Sequence, residues 1–258
     1  MDSGTLTPER ARYWLGRWDE QQEFYIPERS ARFDVIIDVV AEVTGRPDPL
    51  VVDLGVGPGS LSLRLLDRLP QARAVGVDAD PLLLGLAGAA YRDDDRFRVV
   101  RADLRQDGWF DALRLERAPD AYVSTTALHW MDRAPLGRVL ATCARTLSSV
   151  GVFVNGDHLY EAEASPRVDA LSRAIAATHA RRLGVHERED WQGWWQAVEQ
   201  APELAALVAE RAGGFDHAVV DRPSVFDWLA DLRQAGFAES GTVWQYGDDK
   251  VLVGLPAR

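Results

Sequence analysis

Apolar runs alternate with helical stripes as far as His158, and this alternation constrains the fold more than any other feature of the sequence. The runs that predict buried strands are LVVDL, ARAVGVD, RFRVVRADL, PDAYVSTTAL and VGVFVNGDH. Helical stripes separate them, as where Leu61, Leu65 and Leu69 recur after the first strand. Strands that alternate with helices in this way form a parallel sheet with helices on both faces.

The pattern changes after His158. Residues 159–221 have helical periodicity throughout, which predicts a helical segment inserted behind the fifth strand. The C-terminal stretch GTVWQYGDDKVLVGL predicts two strands that are joined by a tight turn at Gly247. Because a tight hairpin makes its two strands antiparallel, we expect the last strand to be reversed and to form an edge of the sheet.

These features predict an α/β protein with a Rossmann-like, doubly wound, seven-stranded sheet whose last strand is reversed. Residues 1–258 are expected to form a single domain. Within it, residues 1–45 would form an N-terminal helical cover, and residues 159–221 would form an inserted helical lid that contributes to a substrate pocket.

Composition narrows the range of partners. The 258 residues carry 29 Lys and Arg against 40 Asp and Glu, a net charge of −11, so most of the surface should repel nucleic acid and anionic membranes. The N-terminus has no apolar signal segment, and no apolar run approaches the roughly 20 residues that span a bilayer. We therefore expect a cytoplasmic protein. Cys143 is the sole cysteine, which excludes an internal disulfide and predicts a packed thiol.

A glycine-rich loop follows the first predicted strand, in VVDLGVGPGSL. Ligands of open parallel sheets bind beyond the carboxyl ends of the strands, where glycines let the backbone approach them. The dinucleotide fingerprint G-x-G-x-x-G would require a glycine where this chain has Ser60. The glycines at 55, 57 and 59 have a tighter spacing, which argues against an NAD-dependent oxidoreductase.

The sequence DLGVGPG, at 53–59, resembles motif I of the class I S-adenosylmethionine-dependent methyltransferases. Acids at the ends of the second and third strands, Asp78 and Asp103, and the terminal reversed hairpin also resemble that family. STTALHWM and DWQGWW are similar to a group of bacterial small-molecule methyltransferases, which implies a role in specialised metabolism. The resemblance implies S-adenosylmethionine as cofactor, and it implies cofactor contacts at Asp53, Gly55, Gly57, Gly59, Asp78, Ala79, Asp103, Leu104 and Thr125.

Several of these residues have a simpler alternative role. The resemblance implies that Asp53 holds the methionine ammonium, but Asp53 could instead order the glycine loop. Asp80 precedes Pro81, so it could cap a helix rather than help to bind ribose. Ser124 and Thr125 could bond to the backbone at the end of the fourth strand.

The histidines are the candidate catalytic residues. His129 follows the fourth strand, beside the expected sulfonium, and an imidazole titrates near neutral pH. His158 follows the fifth strand and is a second candidate, and His186 is a weaker third. A structural histidine that bonds to the ALHW backbone is the alternative for His129.

Aromatic residues are concentrated in the two segments expected to close over the cofactor. The candidate acceptor-binding residues are Trp14, Trp18, Tyr25, Trp130 and Trp195. Aromatics at helical spacing more often serve packing, which we favour for most of them. Any that face the cleft would indicate a flat or apolar small-molecule acceptor.

No metal is expected, because Asp132 is the lone acid in VSTTALHWMDR, where catechol-type methyltransferases place their magnesium ligands. The predicted reaction is methyl transfer to a small molecule, at oxygen more than at nitrogen or carbon. A protein that binds the cofactor but has altered chemistry, such as a cyclase or a regulator, is the alternative. A homodimer is compatible with the sequence.

Overall fold

A computed structural model describes residues 6–26, 28–161, 163, 165–212 and 223–257. Its centre is one seven-stranded sheet. The strands are β1 (Leu50–Leu54), β2 (Arg73–Asp78), β3 (Phe97–Arg101), β4 (Ala121–Thr125), β5 (Val152–His158), β6 (Glu239–Tyr246) and β7 (Asp249–Leu255).

Helices surround the sheet on both faces. They are α1 (Pro8–Gln22), α2 (Arg29–Thr44), α3 (Ser60–Arg68), α4 (Pro81–Ala90), α5 (Trp109–Ala112), α6 (Arg133–Thr146), α7 (Pro166–Leu183), α8 (Trp191–Gln200), α9 (Ala205–Arg211) and α10 (Val225–Ala235). Short 3₁₀ turns lie at Leu128–Trp130, Val185–Glu187 and Pro202–Leu204. Within the described part of the chain, no helix is both long and apolar enough to cross a membrane.

The strand order is β3-β2-β1-β4-β5-β7-β6, with β1 to β5 parallel and β7 antiparallel to both of its neighbours. The predicted fold class and the reversed last strand are therefore confirmed. The expectation that the reversed strand forms the edge was wrong, because β7 lies between β5 and β6. The residues of the two strands agree with this order: β7 carries the apolar run VLVGL and is mostly buried, whereas β6 has a more polar sequence and is exposed or half-buried.

Two apolar layers flank the sheet. One layer contains helices α1, α2, α3, α4 and α8, and the other contains α6 and α10. The strands next to the centre, β1, β4 and β5, are buried along almost their whole length, as expected for parallel strands covered on both faces. The parallel pairing of these strands places the carboxyl ends of β1, β2, β4 and β5 side by side at one edge.

The two N-terminal helices pack against different parts of the structure. Helix α2 packs on β5 and β7 and belongs to the sheet layer, while α1 packs on α4 and on α8 of the inserted segment. Helix α9 also packs on α4. Tryptophans fill the contact between α1 and α8: the Trp194 ring lies 5.0 Å from Trp18 and 6.2 Å from Trp14 between centroids.

We predict that Trp194→Ala lowers the free energy of unfolding by about 3–5 kcal/mol, because it leaves a cavity where a fully buried ring joins α8 to α1. Urea denaturation monitored by circular dichroism would measure the loss. Trp130→Ala is the matched control: this ring is 41% exposed, and its removal should cost less than about 1 kcal/mol. Equal losses in the two variants would contradict a packing role for Trp194.

Candidate active site

A cleft of about 620 Å³ opens at the carboxyl ends of the parallel strands. The loops after β1, β2, β3 and β4 form its floor, and α1, the start of α2 and Trp191 of α8 form a wall. Most of the predicted site residues line it: Gly55, Gly57, Asp78, Ala79, Asp103, Leu104, Thr125, His129, His158, Trp18, Tyr25 and Trp130. Asp53, Gly59, Trp14 and Trp195 are not among the residues that line it.

Steric constraints explain the glycine loop. Gly55 has a φ of 71°, and a Cβ there would overlap the Cβ of Ala127 in the loop after β4. The backbone N–H groups of Gly55 and Val56 both donate to the carbonyl of Val77 on β2, at 2.8 and 3.1 Å. Gly59, with a φ of 96°, precedes the first residue of α3 and serves the turn rather than the cleft wall.

Asp78 ends β2 with its carboxylate at the cleft. Its two oxygens accept hydrogen bonds from the backbone N–H groups of Gly57 and Asp80, both at 2.9 Å. Burial raises the pKa of Asp78, and these two bonds act against the rise without cancelling it. The bonds fix the carboxylate beside the glycine loop, where the ribose of a nucleotide cofactor would need two acceptors.

Asp103 lies across the cleft floor, after β3, and pairs with Arg105. The guanidinium of Arg105 donates to both carboxylate oxygens, at 3.0 Å from Oδ1 and from Oδ2. Burial acts to raise the pKa of Asp103, but the hydrogen bonds and charge of Arg105 outweigh it and lower the pKa. The carboxylate therefore stays ionised and can accept a hydrogen bond from an exocyclic amine.

Asp53 lies behind the loop. It is buried, and its Oδ2 accepts a hydrogen bond from the hydroxyl of Ser62 on α3 at 2.7 Å. Its Oδ1 has no hydrogen-bond partner among the described residues. Burial raises the pKa of Asp53 to about 7, against the Ser62 bond, and the charge of Asp78 adds to the rise. The geometry therefore gives Asp53 a contact that orders the loop, and it leaves one oxygen available to a further donor.

His129 and Asp157 form a dyad at the cleft wall. Nδ1 of His129 lies 2.8 Å from Oδ1 of Asp157, which also accepts the backbone N–H of His158 at 2.9 Å. Burial acts to lower the pKa of His129, but the carboxylate of Asp157 outweighs it and raises the pKa. Sequence reasoning found the histidine and missed the acid. No local sequence pattern pairs them: His129 follows β4 and Asp157 lies within β5, and the pairing of these two strands brings them together.

The other two candidate histidines, His158 and His186, are less well placed than His129 to act as a base in the cleft. His158 lines the cleft, and its Nδ1 lies 3.5 Å from Oδ2 of Asp248. His186 packs against the ring of Phe24, at 4.6 Å between centroids, and is not part of the cleft lining that the structure describes.

Two arginines of α2 were missed by the sequence reasoning. Arg29 lines the cleft, is almost fully buried, forms an ion pair with Asp19 at 2.6 Å and stacks on Phe33. Arg32 is fully buried and donates to Asp249 at 2.7 Å. The signal was present in ERSARF, where arginines enter a helix that is otherwise striped with apolar residues.

The aromatic candidates divide into two groups. Trp18, Tyr25 and Trp130 line the cleft, and Trp191 joins them. Packing accounts for the rest: Nε1 of Trp14 donates to Glu203 at 3.1 Å, and the ring of Trp195 stacks on the guanidinium of Arg211 at 3.9 Å.

Two of the polar candidate residues, Asp80 and Ser124, form hydrogen bonds with the backbone. Asp80 caps α4 by accepting from Leu82 and Leu83, and it accepts a bond from Arg211 of α9 at 2.6 Å. Ser124 donates to the carbonyl of Leu54 at 2.7 Å. Cys143 is buried in α6, as predicted.

The residues that line the cleft are compatible with S-adenosylmethionine. The glycine loop keeps side chains away from one wall, and the carboxylates of Asp78 and Asp103, at the end of β2 and after β3, line the same cleft. Among the described residues, no group of three His, Cys, Asp or Glu side chains could hold a metal ion.

Comparisons with known proteins agree with this assignment. Residues 51–151 match a family described as a methyltransferase domain. A trans-aconitate 2-methyltransferase of Deinococcus radiodurans is 33% identical over 147 residues, which cover 55% of this chain and 51% of the relative. The chain thus matches about half the length of this curated relative.

Solved structures share the fold. An O-methyltransferase family protein from Burkholderia thailandensis is 20% identical, with a TM-score of 0.56 over 87% of this chain and 56% of that one. Human N-acetylserotonin methyltransferase, in complex with S-adenosylmethionine, is 13% identical, with the same TM-score over 94% of this chain and 57% of that one. The comparisons therefore support a class I S-adenosylmethionine-dependent methyltransferase, because residues 51–151 match a methyltransferase domain and the solved structures share the fold.

The pKa of Asp53 predicts how stability depends on pH. Because the pKa is about 7 in the folded state and 3.8 as the ordinary value, the folded protein binds an extra proton between these limits. Stability should therefore fall as the pH rises from 4 to 7, by up to about 4 kcal/mol from this residue. Urea denaturation across this range should show a flatter profile for Asp53→Asn than for the wild type.

Asp103→Asn is the control for this measurement. The pKa of Asp103 is lowered, so its removal should leave the fall between pH 4 and 7 in place. Parallel profiles for the wild type and Asp53→Asn would show that Asp53 is ionised in the folded protein at every pH tested.

Proposed function

We propose that this protein transfers a methyl group from S-adenosylmethionine to a hydroxyl oxygen of a small, flat acceptor. The observation that carries the proposal is the dyad of His129 and Asp157 on the wall of the cofactor cleft. Bound S-adenosylmethionine would supply a methyl group already activated on a sulfonium, so the protein must orient the acceptor, exclude water and remove one proton.

Residues on either side of the glycine loop would hold the cofactor. Asp78 would accept both ribose hydroxyls, and Asp103 with the backbone of Leu104 would bind adenine. Arg29 is the best-placed cation for the methionine carboxylate. It stacks on Phe33 together with Arg64 of α3, which begins directly after the glycine loop. The free oxygen of Asp53 is available to the methionine ammonium, through water.

The dyad favours a hydroxyl acceptor. Asp157 is fully buried and its pKa is lowered: burial acts to raise it, but the charge and hydrogen bond of His129 outweigh burial. An ionised Asp157 would hold the proton on Nδ1 of His129, so Nε2 would carry the lone pair that a general base needs. The acceptor oxygen would gain the methyl group while His129 takes its proton. A carboxylic acid ionises by itself at neutral pH and would need no such base.

The lining of the acceptor end favours a flat molecule. Trp18, Tyr25, Trp130 and Trp191 line the same cleft as His129, and the Trp130 ring lies 4.7 Å from that of His129 between centroids. Aromatic walls bind planar, apolar groups by stacking. The relative named for trans-aconitate has a polycarboxylate acceptor, so the proposed phenol-like acceptor and that acid are the two classes to compare.

Calorimetric titration with S-adenosylhomocysteine would test the cofactor assignment. We expect binding that weakens about 10- to 100-fold in Asp78→Ala and in Asp103→Ala, because each removes charge-assisted hydrogen bonds. NAD should give no signal. Asp93→Ala, which removes an exposed acid outside the cleft lining, is the matched control and should bind like the wild type. Binding that is indifferent to both cleft acids would overturn the cofactor site.

Transfer of labelled methyl from S-adenosylmethionine would test the chemistry, with a panel of small phenols and with trans-aconitate as probes. For a phenol that is methylated, His129→Gln should lower kcat about 10²- to 10⁴-fold, because it removes the base. Its affinity for S-adenosylhomocysteine should stay within threefold of wild type. His158→Gln is the matched comparison, because it removes the second histidine of the cleft and should have the smaller effect.

Two outcomes would contradict the proposal. Transfer to trans-aconitate alone, with full activity in His129→Gln, would replace the hydroxyl acceptor by a carboxylate. Cofactor binding without transfer to any probe would favour a regulator or an enzyme with altered chemistry.

A further inference from the structure

A buried ion pair lies beneath the dyad. Arg32 of α2 is fully buried, and its Nε donates to Oδ1 of Asp249 on β7 at 2.7 Å, while its Nη2 lies 2.6 Å from the same oxygen. Asp249 is itself 5% exposed. Placing two charges out of water is costly and is rarely the most stabilising solution, so such a pair suggests a role beyond stability.

The pair contacts the backbone that carries the dyad. Nη1 of Arg32 donates to Oγ1 of Thr125 on β4, at 3.1 Å, and to the carbonyl of Gly156 on β5, at 3.3 Å. Thr125 is the last residue of the strand that leads to His129, and Gly156 directly precedes Asp157. Gly156 has no side chain because a Cβ there would overlap the aliphatic part of Arg32. One guanidinium therefore joins α2 and β7 to both strands that carry the dyad.

The pair also adds two buried charges next to the dyad. The groups that face His129 are Asp157 on β5 and Arg32 on α2, and Asp249 on β7 faces Arg32 from the other side. His158 follows Asp157 and lies opposite Asp249 in the strand register. Because Arg32, Asp157 and Asp249 are buried, their charges act on the half-buried His129 with little screening.

We infer that Arg32 and Asp249 are positioning residues, which fix the orientation of the His129–Asp157 dyad and set the protonation of His129. The inference rests on the proposed role of His129 as base. Neither residue needs to touch the acceptor, since Arg32 acts through the two strands and through its charge.

The charges of Arg32 and Asp249 predict the direction in which the pKa of His129 changes when either residue is neutralised. The positive charge of Arg32 acts to lower the pKa of His129, so Arg32→Gln should raise that pKa. Asp249→Asn leaves the charge of Arg32 without its counter-ion, so it should lower the pKa of His129. The double variant removes both charges together and should return the pKa towards the wild-type value.

The experiment is a side-chain NMR titration of the histidines in the full chain, with the His129 signal assigned by its loss in His129→Gln. We expect shifts of at least about half a pH unit, upward in Arg32→Gln and downward in Asp249→Asn. Asp231→Asn is the matched control. This variant removes the carboxylate that forms an ion pair with Arg133 at 2.8 Å, between α6 and α10 on the opposite face of the sheet. It should leave the titration of His129 unchanged.

Shifts of the same sign in both single variants, or no shift in either, would overturn the inference. If one single variant does not fold, the double variant and the other single variant still give the direction of the shift in the pKa of His129. The titration needs no acceptor, so its failure is separate from failure of the proposed function. Calorimetry of S-adenosylhomocysteine on the same samples reports the cofactor site, and it should change less than threefold in Asp249→Asn.

Discussion

The contact between the loop after β1 and the loop after β4 determines the shape of the whole site. The backbone at Gly55 lies so close to Ala127 that no side chain fits between them. This approach is available because β1 pairs directly with β4 in the parallel sheet. It brings the glycine loop and the segment that carries His129 together, so that both line one cleft.

The charges of the cleft are arranged along the strand order. Acids lie at the β2 and β3 side, where Asp78 receives backbone N–H groups and Asp103 is held by Arg105. The dyad lies at the β4 and β5 side, above the buried pair of Arg32 and Asp249. Each acid thus has a donor of its own, which keeps a strongly acidic protein from placing uncompensated charge inside its site.

Local patterns predicted the parts of the site that lie next to one another in sequence. The spacing of the glycines and the acids at the ends of β2 and β3 predicted residues that line one cleft in the structure, because each of these signals lies within a strand or the loop that follows it. The pairing of His129 with Asp157 was not predictable from the same patterns. The two residues are 28 positions apart, and only the β4–β5 register makes them neighbours.

The sequence by itself determined the fold class, the reversed last strand and the location of the glycine-rich loop after the first strand, because periodicity and turn residues act over short distances. Tertiary structure alone decided that β7 lies inside the sheet and that Arg32 lies beneath the dyad. It also decided which tryptophans face the cleft, since Trp18 and Trp14 lie on the same helix face and only the position of α8 distinguishes them. Contacts between distant segments depend on how whole elements pack, and no short stretch of sequence encodes that packing.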